Sequence, residues 1–240
     1  MPLTHNSFAY CAGCTHSRLH SLLMEVLEQN DWQDRCLGVA GAGCSAEMQD
    51  YFPFQIIPAP PGQAPAVATG VKRSSPERLV FTYQGDGDLA ARGFDVLMHM
   101  AMRGESITVI CLNNFVMAGS GGQMSPTTLT GQTTTSTRLG RSSAHSGKPV
   151  KLAETVARFP NVAFSQRVSL HEPSAVQLAR LALRDAFLYQ ENGQGLSFVE
   201  VLGWCPPYWD CTAVEARQRL EHSILKHFPT GIFQNKGLRR

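Results

Sequence analysis

Apolar residues along the chain fall into two alternating periods. Leu19, Leu22, Leu23, Val26 and Leu27 recur at helical spacing, and Thr15 or Ser17 offers a hydroxyl to cap that helix. "CLGVAG" (36–41) reads as a short apolar strand ending in glycine, and "FQIIPA" (54–59) as a weaker one. "APAVATGVKR" (64–73) is small and helical, "LVFTY" (79–83) is a strand, "LAARGFDVLMHMAMRG" (89–104) a helix and "SITVICL" (106–112) a strand. A helix near 150–158, a strand near 162–169, a helix at 174–191, the strand "SFVEVLG" (197–203) and a last helix near 212–226 follow. Strands alternating with helices predict an α/β fold, a parallel sheet with helices on both faces. Unbroken apolar strands such as 106–112 suit burial on both sides. With no internal repeat and no linker, residues 1–240 read as one domain.

The pattern lapses once. Residues 118–149, "AGSGGQMSPTTLTGQTTTSTRLGRSSAHSGKP", are rich in Gly, Ser and Thr and almost devoid of apolar side chains. A loop this long is either functional or a disordered surface segment, and both readings stand.

Composition narrows the function classes. A hydrophobic fraction of 43% and a charged fraction of 17% describe an ordinary globular chain. The net charge of +2 supplies no broad basic face, so nucleic acid is not an expected partner. No apolar run is long enough for a membrane span, and no secretory signal is visible, so a cytoplasmic location is expected. In a reducing compartment the seven cysteines, at 11, 14, 36, 44, 111, 205 and 211, are better explained by metal or cluster ligation or by core packing than by disulfides.

The chemistry concentrates at strand ends. "FTYQGDGDLA" (81–90) places Asp86 and Asp88 between glycines at the carboxyl end of a strand, where ligands bind in open α/β sheets. Gly85 and Gly87 are expected to let the backbone turn tightly and approach a ligand. The next strand ends in "CLNNFVMAGSGGQ" (111–123), and 25 residues, one helix and one strand, separate Gly87 from Asn113. That crossover brings the two strand ends together. A carboxylate from one and an amide oxygen from the other can share a magnesium ion, whose octahedron phosphate oxygens and water complete. Gly119, Gly121 and Gly122 would offer backbone N–H groups to the same phosphates.

Gly-Asp-Gly followed by Asn-Asn at this spacing resembles the thiamin diphosphate fingerprint. "VATGVKRSSPERLVFTYQGDGDLA" and "NNFVMAGSGGQMSPTT" resemble the thiamin-binding β subunit of the 2-oxoacid:ferredoxin oxidoreductases, nearest to the branch acting on branched-chain or aryl 2-oxoacids. The resemblance runs from Cys11 to about Pro229. It implies magnesium held by Asp86, the Asn114 side chain and the Val116 carbonyl. It also implies cofactor contacts from Gly43, Ser45, Gly85, Asp86, Gly87, Asp88, Asn114, Ser120 and Gly122, with Ser120 where the family usually has threonine.

The cysteine segments extend it. "CAGCTH" (11–16), "GAGCSA" (41–46) and "GWCPPYW" (203–209) resemble segments that carry a [4Fe–4S] cluster in that family. By resemblance the ligands are Cys11, Cys14, Cys44 and Cys205. Thiolates also suit zinc, so structural zinc remains the rival. Cys111 and Cys36 read as core residues. His16 corresponds to a family histidine near the thiazolium end of the cofactor, a tentative catalytic residue; its alternative is a helix-start histidine with local hydrogen bonds only. Ala12, Thr15, Gln63 and Met117-Ala118-Gly119-Ser120 depart from the family pattern without removing a ligand side chain.

The resemblance implies oxidative decarboxylation of a 2-oxoacid to its acyl-coenzyme A, with electrons leaving through the cluster to ferredoxin or a ferredoxin-like subunit. The diphosphate fingerprint occurs once, so an α-type subunit is expected to supply the pyrimidine-binding domain and its glutamate. The 118–149 segment and the C-terminal tail are the expected contacts. Two other readings stand beside this one: half of a non-redox thiamin diphosphate decarboxylase or ligase, and a zinc-stapled assembly subunit without catalysis.

Overall fold

The computed structural model of the protein describes residues 8–238. Its elements, in order, are α1 (Thr15–Gln29), β1 (Cys36–Ala40), β2 (Ile56–Pro58), α2 (Ala64–Ser74), β3 (Leu79–Gly85), α3 (Phe94–Arg103) and β4 (Thr108–Asn113). They continue with α4 (Ser143–Ser146), α5 (Leu152–Val156), β5 (Val162–Ser169), α6 (Pro173–Glu191), β6 (Leu196–Leu202), α7 (Pro206–Trp209), α8 (Ala213–Arg219) and β7 (Gly231–Asn235). The seven strands form one sheet in the order β2-β1-β3-β4-β6-β5-β7. All neighbours run parallel except β7, which lies antiparallel on β5.

The strand order reverses at β1. The chain steps outward from β1 to β2 and then returns to place β3 on the other side of β1. Such a switch point opens a crevice beyond the carboxyl ends of the strands, because the connections leave in opposite directions. The segments that leave β1, β3 and β4 all border that crevice.

Both faces of the sheet are buried. On one, Leu19, Leu23 and Leu27 of α1 and Ala179, Leu183 and Phe187 of α6 meet Phe81, Tyr83 and Ile110. On the other, Ala68 of α2, Leu97 and Met100 of α3 and Val156 of α5 meet Val80, Val109 and Phe198. Each fully buried large apolar side chain contributes roughly 1.5–3 kcal/mol, so these two layers hold the sheet. A third cluster joins Trp209, Leu220, Ile224 and Phe228 of the C-terminal segment to Phe115 and Val116 beneath the crevice.

Three local expectations change. Cys14, not Thr15 or Ser17, occupies the N-cap of α1, with no side-chain cap. Thr15 spends its hydroxyl on the loop after β6, accepting from Trp204 N at 2.9 Å and donating to Trp204 O at 3.2 Å. The helix expected over 89–104 is interrupted: residues 88–92 form a wider π turn, and α3 begins after Gly93. A Cβ on Gly93 would lie 2.5 Å from the Gly62 carbonyl oxygen, so two backbones touch where a straight helix would run. The third is β7, which the polar C-terminal "GIFQN" did not announce.

Residues 118–149 are folded, against the disordered reading. Their organiser is Arg141, only 4% exposed. Its guanidinium donates to six backbone carbonyls: Ser125 (3.2 Å), Pro126 (2.8 Å), Thr128 (2.8 Å), Ser146 (2.9 Å), Gly147 (3.2 Å) and Lys148 (3.2 Å). Five fixed N–H donors in a plane satisfy a loop that lacks ladder partners. Arg141→Ala is expected to destabilise the chain by about 3 kcal/mol, with Arg141→Lys little better because one ammonium cannot span both sides. Urea melts check the magnitude. Limited proteolysis should then cut within 118–149, and an intact loop would contradict this account.

Candidate functional site

The crevice centres on Asp86, fully buried at the end of β3. The Thr127 hydroxyl donates to its Oδ2, and the backbone N–H of Asn114 approaches its Oδ1 at 3.4 Å. Burial pushes its carboxyl up to about 6, against hydrogen bonds from Ser125, Thr127 and Asn114 that favour the ionised form. One end of the Asn114 side-chain amide lies 2.7 Å from the Val116 carbonyl oxygen and 3.1 Å from Asp86 Oδ1. With nitrogen at that end, both contacts are donated hydrogen bonds. With oxygen there, three oxygens from Asp86, Asn114 and Val116 meet. Octahedral magnesium, with bonds of 2.0–2.1 Å, sets neighbouring ligand oxygens about 2.9 Å apart. Both separations from the Asn114 end therefore fit neighbouring positions in a magnesium shell.

The turn that carries two of these groups is strained. Phe115 is buried with φ 63°, a region that bulky side chains rarely adopt. Its N–H donates to Asn113 Oδ1 at 3.1 Å. Its carbonyl accepts from Thr128 Oγ1 at 2.7 Å and Gln132 Nε2 at 3.1 Å. Trp209 Nε1 donates to the Asn114 carbonyl at 3.1 Å. Surroundings that fix a turn from four directions are what such strain requires.

Asp86, Gly85, Gly87, Asp88, Asn114, Val116, Ser120, Gly43, Ser45 and His16 all border one cleft. Two of the expected roles differ in detail. Gly85 and Gly87 have no left-handed φ. A Cβ on Gly85 would meet nothing within 4 Å and would stand in the cleft, whereas one on Gly87 would lie 2.3 Å from the Met117 side chain. Asp88 is a brace: its Oδ1 accepts from Gly62 N at 2.8 Å and its Oδ2 from Gln84 Nε2 at 2.6 Å.

Gly122 is not among the cleft residues. A Cβ there would lie 2.1 Å from the Tyr208 ring, and its N–H donates to the Met117 carbonyl at 3.0 Å. The Gly121 N–H likewise bonds the Ala118 carbonyl at 3.2 Å, so the turn itself uses two of the amides expected at a diphosphate. Gly119 is needed for contact: its Cβ would come 2.5 Å from Gly43 Cα, so the segments after β1 and β4 touch backbone to backbone. Sequence reasoning missed Arg92, Pro61 and Met117, which also line the cleft. Arg92, four residues past Asp88 in the π turn, was concealed by the straight helix expected there.

Cys11, Cys14, Cys44 and Cys205 border a second cavity of about 510 Å³ that shares His16, Gly43, Asn114, Ala118 and Gly119 with the first. Cys11 is exposed, Cys14 and Cys44 half-buried and Cys205 buried. Thr15 on Trp204, and Trp204 Nε1 on the Gly13 carbonyl at 2.9 Å, bind the Cys11–Cys14 segment to the Cys205 loop. Burial raises the thiols of Cys14 to about 11 and of Cys205 to about 12, with mutual repulsion of the thiolates adding to it. Four thiolates here need a cationic centre to exist together. Among the described residues, no three His, Cys, Asp or Glu side chains gather closely enough to hold a single metal ion. Cys36 and Cys111 are buried in the core layers.

His16 stands in the wall between the two spaces. It is 2% exposed, its Nδ1 lies 2.8 Å from the Tyr83 hydroxyl, and its ring stacks on Tyr10 with centroids 5.1 Å apart. Burial lowers it to about 3, so the imidazole is neutral at physiological pH.

Residues 36–201 match the family described as thiamine pyrophosphate enzyme, C-terminal TPP binding domain. The 2-oxoglutarate synthase subunit KorB of Methanocaldococcus jannaschii is 30% identical over 201 residues, 83% of this chain and 70% of that one. The chain belongs to the thiamin diphosphate-binding subunits of the 2-oxoacid:ferredoxin oxidoreductase family. The ketoisovalerate oxidoreductase subunit VorA of Methanothermobacter thermautotrophicus is 37% identical to this thiamin diphosphate-binding subunit over 227 residues, 95% of this chain and 48% of that one. The subunit thus spans about half the length of VorA relatives. The 2-oxoglutarate:ferredoxin oxidoreductase from Magnetococcus marinus, solved with 2-oxoglutarate, coenzyme A and succinyl-CoA bound, shares its fold, with TM-score 0.78, 18% identity and coverage of 99% of this chain and 84% of that one. Among the described residues no helix is long and apolar enough to cross a membrane.

Asp86 yields a pH test. Its carboxyl titrates higher in the fold, at about 6, than the ordinary 3.8. The folded state therefore binds the proton more tightly, and stability falls as pH rises between those values. At neutral pH the ionised group costs on the order of 3 kcal/mol in the ligand-free chain. Asp86→Asn is expected to raise the ligand-free melting temperature at pH 7.5 and leave it little changed at pH 4. The same substitution should abolish stabilisation by magnesium plus thiamin diphosphate. Equal effects at both pH values would contradict the assignment.

Proposed function

We propose that this chain is the diphosphate- and cluster-binding part of an enzyme that oxidatively decarboxylates a 2-oxoacid and passes the acyl group to coenzyme A. Electrons leave through a [4Fe–4S] cluster to ferredoxin or a ferredoxin-like subunit. The observation that carries the reading is the shared wall: Gly43, Asn114, Ala118, Gly119 and His16 border both the magnesium-shaped cleft and the four-cysteine cavity. A non-redox decarboxylase half has no use for that adjacency.

When bound, thiamin diphosphate supplies a carbanion and an electron sink, and the cluster a one-electron relay. Asp86, the Asn114 amide turned oxygen inward and the Val116 carbonyl hold magnesium against the diphosphate. Ser120, Ser45 and Gly43 border the space the phosphates fill, and Arg92 brings a cation to its rim. His16, fixed by Tyr83 and kept neutral by burial in the ligand-free chain, serves as a hydrogen-bond partner where cofactor and cluster come nearest.

Cys11, Cys14, Cys44 and Cys205 hold the cluster, and exposed Cys11 marks where the acceptor docks, beside Cys14. An α-type subunit supplies the pyrimidine-binding domain and the glutamate. The kinship with a ketoisovalerate oxidoreductase subunit favours branched-chain or aryl 2-oxoacids. A reducing cytoplasm suits exposed cluster thiolates.

Anaerobic purification with its partner chains tests the reading. The wild-type complex should be brown, contain iron and sulfide, and reduce a dye only with both a 2-oxoacid and coenzyme A, 2-oxoisovalerate among the best. Cys44→Ala should remove colour and dye reduction yet retain thiamin diphosphate. A colourless complex holding one zinc, or product formation without an electron acceptor, would overturn the proposal.

A further inference from the structure

Glu200 is a buried charge in the middle of β6, 0% exposed, in register with Cys111 on β4 and Arg167 on β5. Its Oε2 accepts from Arg167 Nε at 2.9 Å and from Ala153 N at 3.1 Å. Arg167 is itself fully buried and also pairs with Glu154. A buried ion pair is weak as a source of stability, because desolvation offsets most of its attraction. A second use is indicated by the other oxygen: Oε1 accepts from Asn113 Nδ2 at 2.7 Å.

That contact sets the direction of a relay. A carboxylate can only accept, so Asn113 must turn its nitrogen toward Glu200 and its oxygen the other way. The oxygen then accepts from the Phe115 N–H at 3.1 Å, closing the strained turn at φ 63°. Asn114 and Val116 flank Phe115, and one end of the Asn114 amide lies between the Val116 carbonyl oxygen and Asp86 Oδ1, so the turn sets where these groups stand. We infer that Glu200, acting through the Asn113 amide, is a positioning residue that aims Asn114 and Val116 at the magnesium ion. This rests on the magnesium–diphosphate reading of the cleft.

The relay has one consistent hydrogen-bond direction, which makes it testable by reversal. In Glu200→Gln the amide oxygen must stay with Arg167 and Ala153, two donors, so its NH2 faces Asn113. Asn113 must then flip, and its own NH2 meets the Phe115 N–H, donor against donor. Adding Asn113→Asp restores every bond: the introduced carboxylate accepts from the new amide on one oxygen and from Phe115 N on the other. That second change touches neither Arg167 nor Ala153, so it cannot repair a loss that is merely the broken ion pair. Asn113→Ala keeps the Glu200–Arg167 pair and removes only the tether.

Two measurements on the purified complex decide it. The first is the magnesium concentration that half-saturates thiamin diphosphate binding, followed by thermal shift. Glu200→Gln and Asn113→Ala should raise it ~10–100-fold, and the Glu200→Gln/Asn113→Asp pair should return to within about threefold of wild type. The second, needing no ligand, is hydrogen exchange of the Phe115 amide, which should quicken in both single variants and slow again in the pair. A lowered melting temperature with unchanged magnesium requirement and unchanged exchange would overturn the inference, as would failure of the pair to recover. Should Glu200→Gln not fold, Asn113→Ala decides alone, since the relay predicts the same loss from it. A wild-type complex that binds no thiamin diphosphate with magnesium sinks the functional reading, while the exchange measurement still judges the relay.

Discussion

Three oxygens brought within about one hydrogen-bond length of each other repel unless something positive stands among them. Asp86, Asn114 and Val116 come from the ends of two adjacent parallel strands, and their separations of 2.7 and 3.1 Å suit either an inward NH2 or a small divalent cation. Much of the surrounding structure serves this crowding. The switch point opens the crevice, β3 and β4 deliver its two sides in register, and the long loop holds both: Thr127 holds Asp86, while Thr128 and Gln132 hold the Phe115 turn. Arg141 in turn holds the loop. The result is a pocket in which a bound cation would relieve the burial penalty on Asp86.

The second constraint is adjacency. Gly119 packs against Gly43 and the Cys44 amide because it has no side chain, and that contact sets Cys44 beside the segment that carries Ser120. With His16 stacked on Tyr10 in the same wall, the cleft and the cysteine cavity stand back to back. The proposed one-electron relay would require such proximity between donor and acceptor, and the bare Gly119 backbone supplies it. Thr15, where the resemblance leads one to expect glycine, strengthens the arrangement by clamping the first cysteine pair to the loop of Cys205.

The sheet and its helices were legible because apolar periodicity changes from two to near four wherever strand gives way to helix. The meeting of Asp86, Asn114 and Val116 was legible because residue type and spacing coincide at two strand ends. What stayed hidden was governed by contacts distant in sequence. The π turn at 88–92 depends on Gly62 touching Gly93; β7 depends on pairing with β5 rather than on its own weak pattern. Asp88 read as a ligand, yet its two oxygens serve Gly62 and Gln84. Gly122 read as a phosphate cradle, yet it makes room for the Tyr208 ring. In both cases a motif specified a small or acidic residue correctly but left open which neighbour required it.

The carboxylates of the cleft also bear on assembly. Asp86 is held by Thr127 and the Asn114 N–H, Asp88 is consumed in bracing, and among the described residues no glutamate lines the cleft. Activation of the cofactor ring needs a carboxyl group at the aminopyrimidine, at the far end of the molecule from the diphosphate. Under the proposed function, that carboxyl group comes from outside the residues that line this cleft. Residues 118–149 are wired by Arg141 for a reason visible within the chain: the same loop sends Thr127 to Asp86 and Thr128 and Gln132 to the Phe115 carbonyl, so a loose loop would loosen the cleft itself.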